Sequence, residues 1–396
     1  MYSQQKANIT NKNLDYYLLQ AKKILNEYDL CDYCTGRLFA KKMGLSSHQL
    51  LGKKIKNLLH YKSTKNCYIC KDILSNLKTI VNRILEKSSD YEFSTFVIGA
   101  ILRPSVTDRD DVIRSKFKLQ GIDSVKTAIT QELAKKFAKK TKTKIDFLCP
   151  DLTFTFNFKN DSCELQARTL ILSGRYIKKI RGIPQKQTPC TNCKGRGCLE
   201  CNYHGISKFT SIEGKISKFL FEKFNGTQTK ITWIGGEDKN SLVLGNGRPF
   251  FVKLINPKKR KPRLGKKSVE DEIEIHNLKI ISKIPKEPIR FKSTIKLSII
   301  TEKKLNSKDL TSLKSLIKTP IVIYEKPNKR NQKSIYSVKF KKSSPKSFLF
   351  WITADGGLPI KRFVEGNDIQ PNIAELIGHK CGCKEFDFHK IDLINF

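Results

Sequence analysis

The stretch 233–250 constrains the fold most, because it sets an acidic pair between two glycine-rich turns. Its sequence is Trp-Ile-Gly-Gly-Glu-Asp-Lys-Asn-Ser-Leu-Val-Leu-Gly-Asn-Gly-Arg-Pro-Phe, in which Glu237 and Asp238 follow the first turn. The triplet 245–247 makes the second turn, and the apolar run 250–255 predicts a strand. This order predicts a carboxylate at the end of a sheet.

The chain is strongly basic, with 76 Lys and Arg against 37 Asp and Glu and a formal net charge of +39. Repulsion between so many cations opposes a compact fold unless a polyanion shares the field. Nucleic acid is the usual polyanion, and the clustering of the charge favours it. The alternative is an AT-rich genome, which enriches Lys, Asn and Ile without selection for binding.

The length of 396 residues predicts two or three domains, and a hydrophobic fraction of 39% is typical of a globular protein. The chain has no apolar run of the roughly 18–20 residues that cross a bilayer. Its first residues lack the apolar segment of a signal peptide. These features predict a cytoplasmic protein without a membrane. In a reducing compartment, cysteines are metal ligands more often than disulfide partners.

Eight cysteines fall into two groups with the spacing of zinc ligands. The first group is Cys31, Cys34, Cys67 and Cys70, and the second is Cys190, Cys193, Cys198 and Cys201. Four thiolates can surround one tetrahedral zinc ion without an open position, which predicts structural rather than catalytic metal. An iron–sulfur cluster is the metal alternative, and free thiols in turns are the other. His204 lies close enough in sequence to replace one thiolate.

Helical and strand patterns alternate through the first part of the chain. Helices are expected at 13–28, 71–88 and 124–140, the last strongly basic, and strands at 92–102 and 151–158. Helices mixed with short strands predict a compact α+β module.

Five motifs occur in an order that resembles a known enzyme family. They are the paired Cys-x2-Cys motifs, the segment Gly174–Gln185, the knuckle Cys190–Cys201, the stretch Glu237–Phe250, and the run Ile360–Asn367 followed by Pro371–Ile373. Together they resemble the archaeal and eukaryotic tRNA pseudouridine synthases of the tenth family, which act on uridines 54 and 55 of the T-arm. The resemblance covers nearly the whole chain.

The resemblance implies an α+β protein with an N-terminal zinc-bearing THUMP-like module. It also implies a C-terminal pseudouridine synthase domain with a mixed, largely antiparallel sheet. The expected division is a helical zinc-binding unit at 1–70, a THUMP-like RNA-binding module at 71–185, a zinc knuckle linker at 186–210 and a catalytic domain at 211–396.

The resemblance also places the family's nucleophilic aspartate on Asp238. Pseudouridylation breaks the N1–C1′ bond of uridine, rotates the base and rejoins it at C5, which requires a carboxylate but no catalytic cofactor. The target base must first be extruded from its stack. The alternative reading is that Asp238 caps the following segment or pairs with Arg248, while Glu237 is expected to be solvated.

The substrate contacts implied by the resemblance are Ile295, Pro359, Ile360, Lys361 and Leu393, and Arg248 is added as our own candidate to replace an arginine missing at 236. The chain departs from the family pattern, because Gly236 replaces an arginine, and Ile295 and Pro359 replace tyrosines. Arg248 is predicted to orient Asp238 or a phosphate, and Lys361 to keep Asp238 ionised. The alternatives are an ordinary exposed lysine at 361 and a core strand residue at 295.

We therefore expect a cytoplasmic enzyme that isomerises uridine in tRNA, with structural zinc and no protein partner. The basic loops 256–267 and 326–333 and the helix 124–140 are predicted to contact phosphates. The main alternative is a non-catalytic or weakly catalytic tRNA-binding protein that retains the synthase fold. Another RNA-modifying enzyme with a THUMP-type module is a third reading. A methyltransferase is disfavoured because no glycine-rich cofactor loop follows a strand.

Overall fold

The computed structural model describes residues 11–43, 47–63, 65–270, 272–285, 288–325 and 329–394. Its backbone divides into two compact units, Met1–Arg168 and Thr169–Phe396. None of the helices in the described ranges has both the length and the apolar content that a bilayer crossing needs.

The first unit combines six helices with a four-stranded sheet in its described ranges. The helices are α1 (Asn11–Glu27), α2 (Asp32–Ala40), α3 (His48–Leu58), α4 (Leu77–Ser88), α5 (Pro104–Lys116) and α6 (Val125–Thr141), and the strands are β1 (Thr95–Ile101), β2 (Lys144–Ile145), β3 (Leu152–Asn157) and β4 (Ser162–Ala167). The sheet order is β2-β1-β3-β4. Strand β1 is parallel to both of its neighbours, whereas β3 and β4 are antiparallel.

Aromatic side chains join this sheet to helix α6. Because successive strand residues point to opposite faces, Phe96 of β1 and Phe154 of β3 are both fully buried on one face. Phe137 of α6 packs edge-on against both rings, with centroid separations of 4.7 Å and 5.3 Å. The alternation of apolar residues in β1 and β3 therefore fixes which face of the sheet α6 covers.

The second unit is built around a large sheet. Its strands are β5 (Leu170–Lys178), β6 (Gln228–Trp233), β7 (Val243–Ile255), β8 (Lys267–Glu270), β9 (Ile273–Ile281), β10 (Phe291–Thr301), β11 (Ile321–Glu325), β12 (Lys329–Lys333), β13 (Ile335–Ser344), β14 (Ser347–Asp355), β15 (Ile369–Gln370) and β16 (Cys381–Leu393). Its helices are α7 (Ile212–Phe224), α8 (Ser307–Ser312), α9 (Ile360–Glu365) and α10 (Ile373–Ile377), and Leu199–Cys201 and Leu313–Ile317 are 3-10 turns.

Nine of these strands form one sheet in the order β13-β14-β10-β16-β7-β5-β9-β8, with β6 also paired to β7. Every pairing in this sheet is antiparallel except the contact between β16 and β7. That contact is a single parallel bridge between Phe388 and Val243. The expected α+β fold with a mixed, largely antiparallel sheet is therefore confirmed.

Three details of the chain differ from the sequence expectations. The helix expected at 71–88 begins only at Leu77, because the preceding residues form turns beside a cysteine pair. The expected domain boundary at 185 falls inside the second unit, since β5 pairs with β7 and β9. The triplet 245–247, expected to be a turn, lies inside β7.

Candidate active site and cysteine clusters

Asp238 lies in the loop between β6 and β7, where both of its carboxylate oxygens are engaged. Lys361, in the first turn of α9, places its Nζ 2.7 Å from Oδ2. The backbone N–H of Asn240 donates to Oδ1 at 2.9 Å. The side chain of Asp238 remains 29% exposed and that of Lys361 53% exposed, so the pair is accessible from solvent.

The pair holds the carboxylate of Asp238 in its charged form. The hydrogen bond from Lys361 lowers the pKa of Asp238 below its ordinary value, and the Asn240 amide adds to this effect. The same hydrogen bond raises the pKa of Lys361. The structure thus brings together the two residues that the sequence connected, and an ionised carboxylate faces solvent beside an ammonium group.

Glu237, next to Asp238, was expected to be solvated, and this expectation is wrong. Its side chain is fully buried although its backbone is partly exposed. Oε1 lies 3.0 Å from Nζ of Lys178, and Oε2 accepts a hydrogen bond of 2.8 Å from the Tyr176 hydroxyl. A buried carboxylate without such partners would be costly, so these contacts from β5 explain why Glu237 can point inward.

Arg248 is the second cation on Glu237 and does not contact Asp238. Its Nε lies 3.3 Å from Oε2 of Glu237, and a terminal nitrogen donates to the carbonyl of Ile234 at 2.9 Å. The guanidinium lies over the ring of Phe388 at 4.3 Å and is fully buried. The expected role of Arg248 as a direct contact to Asp238 or to a phosphate is corrected, because its buried guanidinium forms an ion pair with Glu237 instead.

Buried Lys178 supports the loop from below. Its Nζ donates to the carbonyl oxygens of Ile183, Asp238 and Lys239 at 3.1–3.3 Å, in addition to its ion pair with Glu237. Burial and the neighbouring charge of Glu237 raise the pKa of Tyr176 well above its ordinary value, so its hydroxyl stays protonated as a donor. Together these contacts fix the backbone that carries Asp238.

Arg181 and Asp387 clamp the same loop from the other side. The guanidinium of Arg181 makes two hydrogen bonds of 2.8 Å to the Asp387 carboxylate and another to the carbonyl of Asn240. Oδ1 of Asp387 also accepts from the backbone N–H of Leu242 at 2.9 Å. Sequence reasoning missed this pair. The basic segment that contains Arg181 was a usable signal, but nothing local marks Asp387.

The other four expected substrate contacts are buried or half-buried side chains. Ile295 is 3% exposed in the sheet core, paired with Ile352 and Phe388, which favours the alternative of a core strand residue over a substrate contact. Ile360 is also buried in the core, in the first turn of α9. Pro359 is a half-buried N-cap of that helix, and Leu393 is a half-buried residue of β16. Of these four, none is a freely exposed side chain.

The glycines of the stretch 233–250 differ in why the structure requires a glycine at each position. Gly235 has a φ of +74°, and a Cβ there would lie 2.6 Å from the Phe291 ring. Gly245 has a φ of +59°, and its Cβ would lie 1.9 Å from the carbonyl oxygen of His389. Gly236, which replaces the family arginine, is different because the nearest atom to an added Cβ is 3.9 Å away. The position is therefore open rather than filled by another group.

The first cysteine group converges in the core of the N-terminal unit. The four sulfurs of Cys31, Cys34, Cys67 and Cys70 lie within 4.8 Å of one another, and three of the side chains are buried. The Cys31 and Cys70 sulfurs are 3.7 Å apart, far beyond a disulfide bond. Zinc–sulfur bonds of about 2.3 Å give sulfur separations of about 3.8 Å in a tetrahedron. The group therefore fits one zinc ion.

The second group has the same arrangement at a more exposed place. Its sulfurs also lie within 4.8 Å of one another, with individual separations of 3.7–4.0 Å. Backbone N–H groups of Cys198 and Gly205 donate to the sulfur of Cys201 at 3.2 Å, as expected for a thiolate. His204 stacks on Phe221 and bonds to the carbonyl of Thr227, so it is not a ligand here.

The basic segments expected to contact phosphates are partly anchored to the protein. In the loop 256–267, backbone N–H groups of Lys258 and Lys259 bond to the end of α7, and Arg260 is buried. Residues 326–328 of the second loop lie outside the described residues, and 329–333 form β12. Helix α6 carries exposed lysines along one side, so its charge is available to solvent.

Comparisons with known proteins agree with this organisation. Residues 171–392 match a family model described as Pus10, C-terminal, and residues 80–157 match one described as Pus10 THUMP domain, archaeal. A protein of Nitrosopumilus maritimus named tRNA pseudouridine synthase Pus10 is 50% identical over 373 residues, covering 94% of this chain and 97% of that protein. A protein of the same name from Cenarchaeum symbiosum is 33% identical, with coverages of 92% and 90%.

Proposed function

The chain belongs to the Pus10 family of tRNA pseudouridine synthases, and from this membership we propose that it isomerises T-arm uridine with Asp238 as the nucleophile. The target is uridine 54, uridine 55 or both. The enzyme is an isomerase that acts on tRNA, so the net reaction adds and removes no atoms. The N1–C1′ bond breaks, the base rotates and C5 bonds to C1′; the proton on C5 leaves to solvent, and the freed N1 takes up a proton in exchange.

The ion pair between Asp238 and Lys361 is the observation that carries this proposal. A nucleophilic carboxylate must be ionised, reachable and held in place. The hydrogen bond from Lys361 lowers the pKa of Asp238, and 29% of the side chain is exposed. The contacts of Lys178 and Arg181 hold the loop on both sides. Asp238 therefore meets the three requirements.

Structural zinc and a cytoplasmic location belong to the same proposal. The sulfur separations in both cysteine groups fit a closed tetrahedral site, whose metal would stabilise the fold and take no part in the reaction. Thiolate ligands persist in a reducing compartment. A cytoplasmic enzyme with tRNA as its partner is consistent with the strongly basic composition.

The alternative is a tRNA-binding protein with little or no turnover. Two features favour it: Gly236 leaves the arginine position open, and Ile295 is buried in the sheet core and has no aromatic face. Extruded bases are usually held by stacking on aromatic side chains. The two readings make opposite predictions about turnover.

Tritium release separates the readings. Purified protein is incubated with an unmodified tRNA transcript whose uridines carry tritium at C5, and released tritium is counted. We expect release by the native chain and loss of at least 1,000-fold in Asp238→Asn, since the nucleophile is removed. Glu222→Gln, which changes an exposed carboxylate on α7 in the same unit, should retain full release.

Binding must be measured on the same samples by filter retention of labelled tRNA. Tight binding by the native chain without tritium release at any enzyme concentration would support the binding-only alternative. Transcripts with cytidine at position 54 or at position 55 then identify the target, because each removes one candidate uridine. Release that persists at the native rate in Asp238→Asn would rule out Asp238 as the nucleophile.

A further inference from the structure

Lysine and aromatic side chains cover the solvent side of the half-sheet formed by β10, β14 and β13. The burial of β14 alternates strictly, with Phe348, Phe350, Ile352 and Ala354 buried and the residues between them partly exposed. Trp351 is one of these outward residues. Directly opposite residues on neighbouring strands share a face, so its cross-strand partners also point outward.

Trp351 stands between two lysines on this face. Lys296 of β10 and Lys339 of β13 are its cross-strand partners in the sheet register. The Nζ of Lys296 lies 5.9 Å from the centre of the indole ring, within range of a cation–π contact. Lys339 is exposed. The central row of the face is therefore a cation, an aromatic ring and a second cation.

A shallow groove of about 550 Å³ follows this row. Trp351, Lys339 and Lys341 line it together with the hydroxyl groups of Thr294 and Thr353. One side of the half-buried indole is thus accessible from a groove whose walls offer ammonium and hydroxyl donors.

A second aromatic–lysine pair lies on the same strands. Nζ of Lys292 is 3.6 Å from the centre of the Tyr336 ring, which is 44% exposed. Lys292 and Lys296 are four residues apart on β10, or about 14 Å along the strand. The acidic groups nearby are engaged, since Asp355 accepts from Tyr336 and Asp392 pairs with Lys390. Asp387, the cross-strand partner of Lys296 on β16, is paired with Arg181. The face is net cationic.

We propose that this face binds an unpaired stretch of the substrate RNA, with one base stacked on Trp351 and neighbouring phosphates on Lys296 and Lys339. Aromatic rings flanked by cations suit single-stranded nucleic acid, because bases stack on the ring while phosphates meet the charges. A protein partner would require a larger apolar area, and lysines are depleted at the centre of such interfaces. The proposal rests on the proposed function for the identity of the RNA.

The two tryptophans of the chain allow a direct test, because Trp233→Phe leaves Trp351 as the single indole. Unmodified tRNA transcript is added to this variant, and indole fluorescence is recorded. We expect saturable quenching with the same midpoint as tRNA binding. Inorganic polyphosphate, which has charge but no bases, should not quench. Equal quenching by polyphosphate, or none by tRNA, would overturn the stacking contact.

Substitutions then measure the contribution to affinity in the otherwise native chain. Trp351→Ala should weaken tRNA binding about 10-fold, whereas Trp351→Phe should stay within about 3-fold because it keeps an aromatic face. The double variant Lys296→Ala/Lys339→Ala should reduce the slope of log affinity against log salt by about 1.4, since each phosphate contact contributes roughly 0.7. The charge-matched control Lys314→Ala/Lys318→Ala, outside the groove, should leave the slope unchanged.

Affinity that is the same in all four variants would disprove the proposal. Thermal unfolding of each variant confirms that an observed loss is not a folding defect. Tritium release by the native chain is scored separately. If release is present without quenching, only the RNA-binding face is wrong, and if quenching is present without release, only the catalytic proposal fails.

Discussion

Asp238 and Lys361 form an ion pair between two elements that are far apart in sequence. The pKa of Asp238 is lowered from its ordinary value of 3.8, and that of Lys361 is raised from 10.5. Both groups are therefore charged throughout the neutral range. The contribution of the ion pair to the free energy of unfolding is lost as the pH falls through the lowered pKa of Asp238, or as the pH rises through the raised pKa of Lys361.

Replacing Lys361 should move the acid limb of the activity profile. In Lys361→Met the main cause of the lowered pKa of Asp238 is gone, so its pKa should rise and turnover should fall at a higher pH than in the native chain. Lys361→Arg should keep the native acid limb. The measurement is single-turnover tritium release across the pH range in which the protein stays folded. Coincident acid limbs in all three proteins would show that Lys361 does not control the ionisation of Asp238.

The sequence was sufficient to select Asp238 as a candidate, but it did not indicate that the neighbouring Glu237 is buried. The glycine-flanked acidic pair and the family pattern singled out Asp238 and Lys361, and the structure places their charged atoms 2.7 Å apart. Glu237 is identical in local pattern to a solvated turn residue. Its burial depends on Tyr176 and Lys178 of β5, which no local pattern connects to it.

Strand β7 contains the glycine-rich triplet 245–247, which was expected to form a turn. Gly245 and Gly247 both have positive φ, and between them the side chain of Asn246 exchanges two hydrogen bonds with the backbone of Ile391. Glycines with positive φ serve turns and strand irregularities equally well, so the sequence cannot distinguish them. The strand continues because β5 pairs with β7 on both sides of this irregular segment. Before the segment Val243 pairs with Lys178, and after it the pairing resumes at Arg248.

Two glycine substitutions in the same stretch should differ strongly in their effect. Gly245→Ala adds a methyl group that would meet the His389 carbonyl at 1.9 Å in a left-handed backbone, so the strand must shift. We expect a loss of about 2–4 kcal/mol in the free energy of unfolding. Gly236→Ala, whose added methyl group has its nearest neighbour at 3.9 Å, should change this free energy by less than about 0.5 kcal/mol.

Urea unfolding followed by tryptophan fluorescence measures this difference in the second unit, because both tryptophans, at 233 and 351, lie there. Equal midpoints for the two alanine variants would contradict the close approach of β7 to β16.

At the scale of the whole molecule, the chain contains two units, each with one cysteine cluster among its described residues. The first cluster has three buried cysteines within a hydrophobic core, and the second has one. Metal binding to a buried cluster is part of the folding free energy of the surrounding core. The two clusters should therefore contribute unequally to the stability of their units.

Metal analysis should give two zinc ions per chain. Cys34→Ser should lose one ion and substantially lower the melting temperature of the first unit, whereas the matched variant Cys193→Ser should lose one ion with a smaller effect on the second. Differential scanning calorimetry with limited proteolysis assigns the transitions. Iron with visible absorption would indicate iron–sulfur clusters instead, and full metal content in both variants would contradict the ligand sets.

The boundary between the two units lies at a different place from the one expected from the sequence. The order of motifs predicted an N-terminal module followed by a synthase domain, and the α+β class is confirmed. The structure separates the two units at Arg168 and Thr169, since β5 obtains its hydrogen bonds from residues 243–254 and 273–281. Pairing between strands so distant in sequence has no local signal, and the boundary expected at 185 followed from the family resemblance and the position of the cysteine knuckle.

Strands β7 and β16 meet at one parallel bridge, between Phe388 and Val243, and the side chain of Asn246 adds two hydrogen bonds to the backbone of Ile391. Asp238 lies on a loop that Lys178 of β5 and Lys361 of α9 both contact, and Arg181 joins the same loop to Asp387 of β16. Strands β5 and β16 flank β7 in the sheet, so the loop is fastened to elements on both sides of β7. The distance between the Asp238 carboxylate and the Lys361 ammonium group therefore depends on the alignment of several elements rather than on the loop alone.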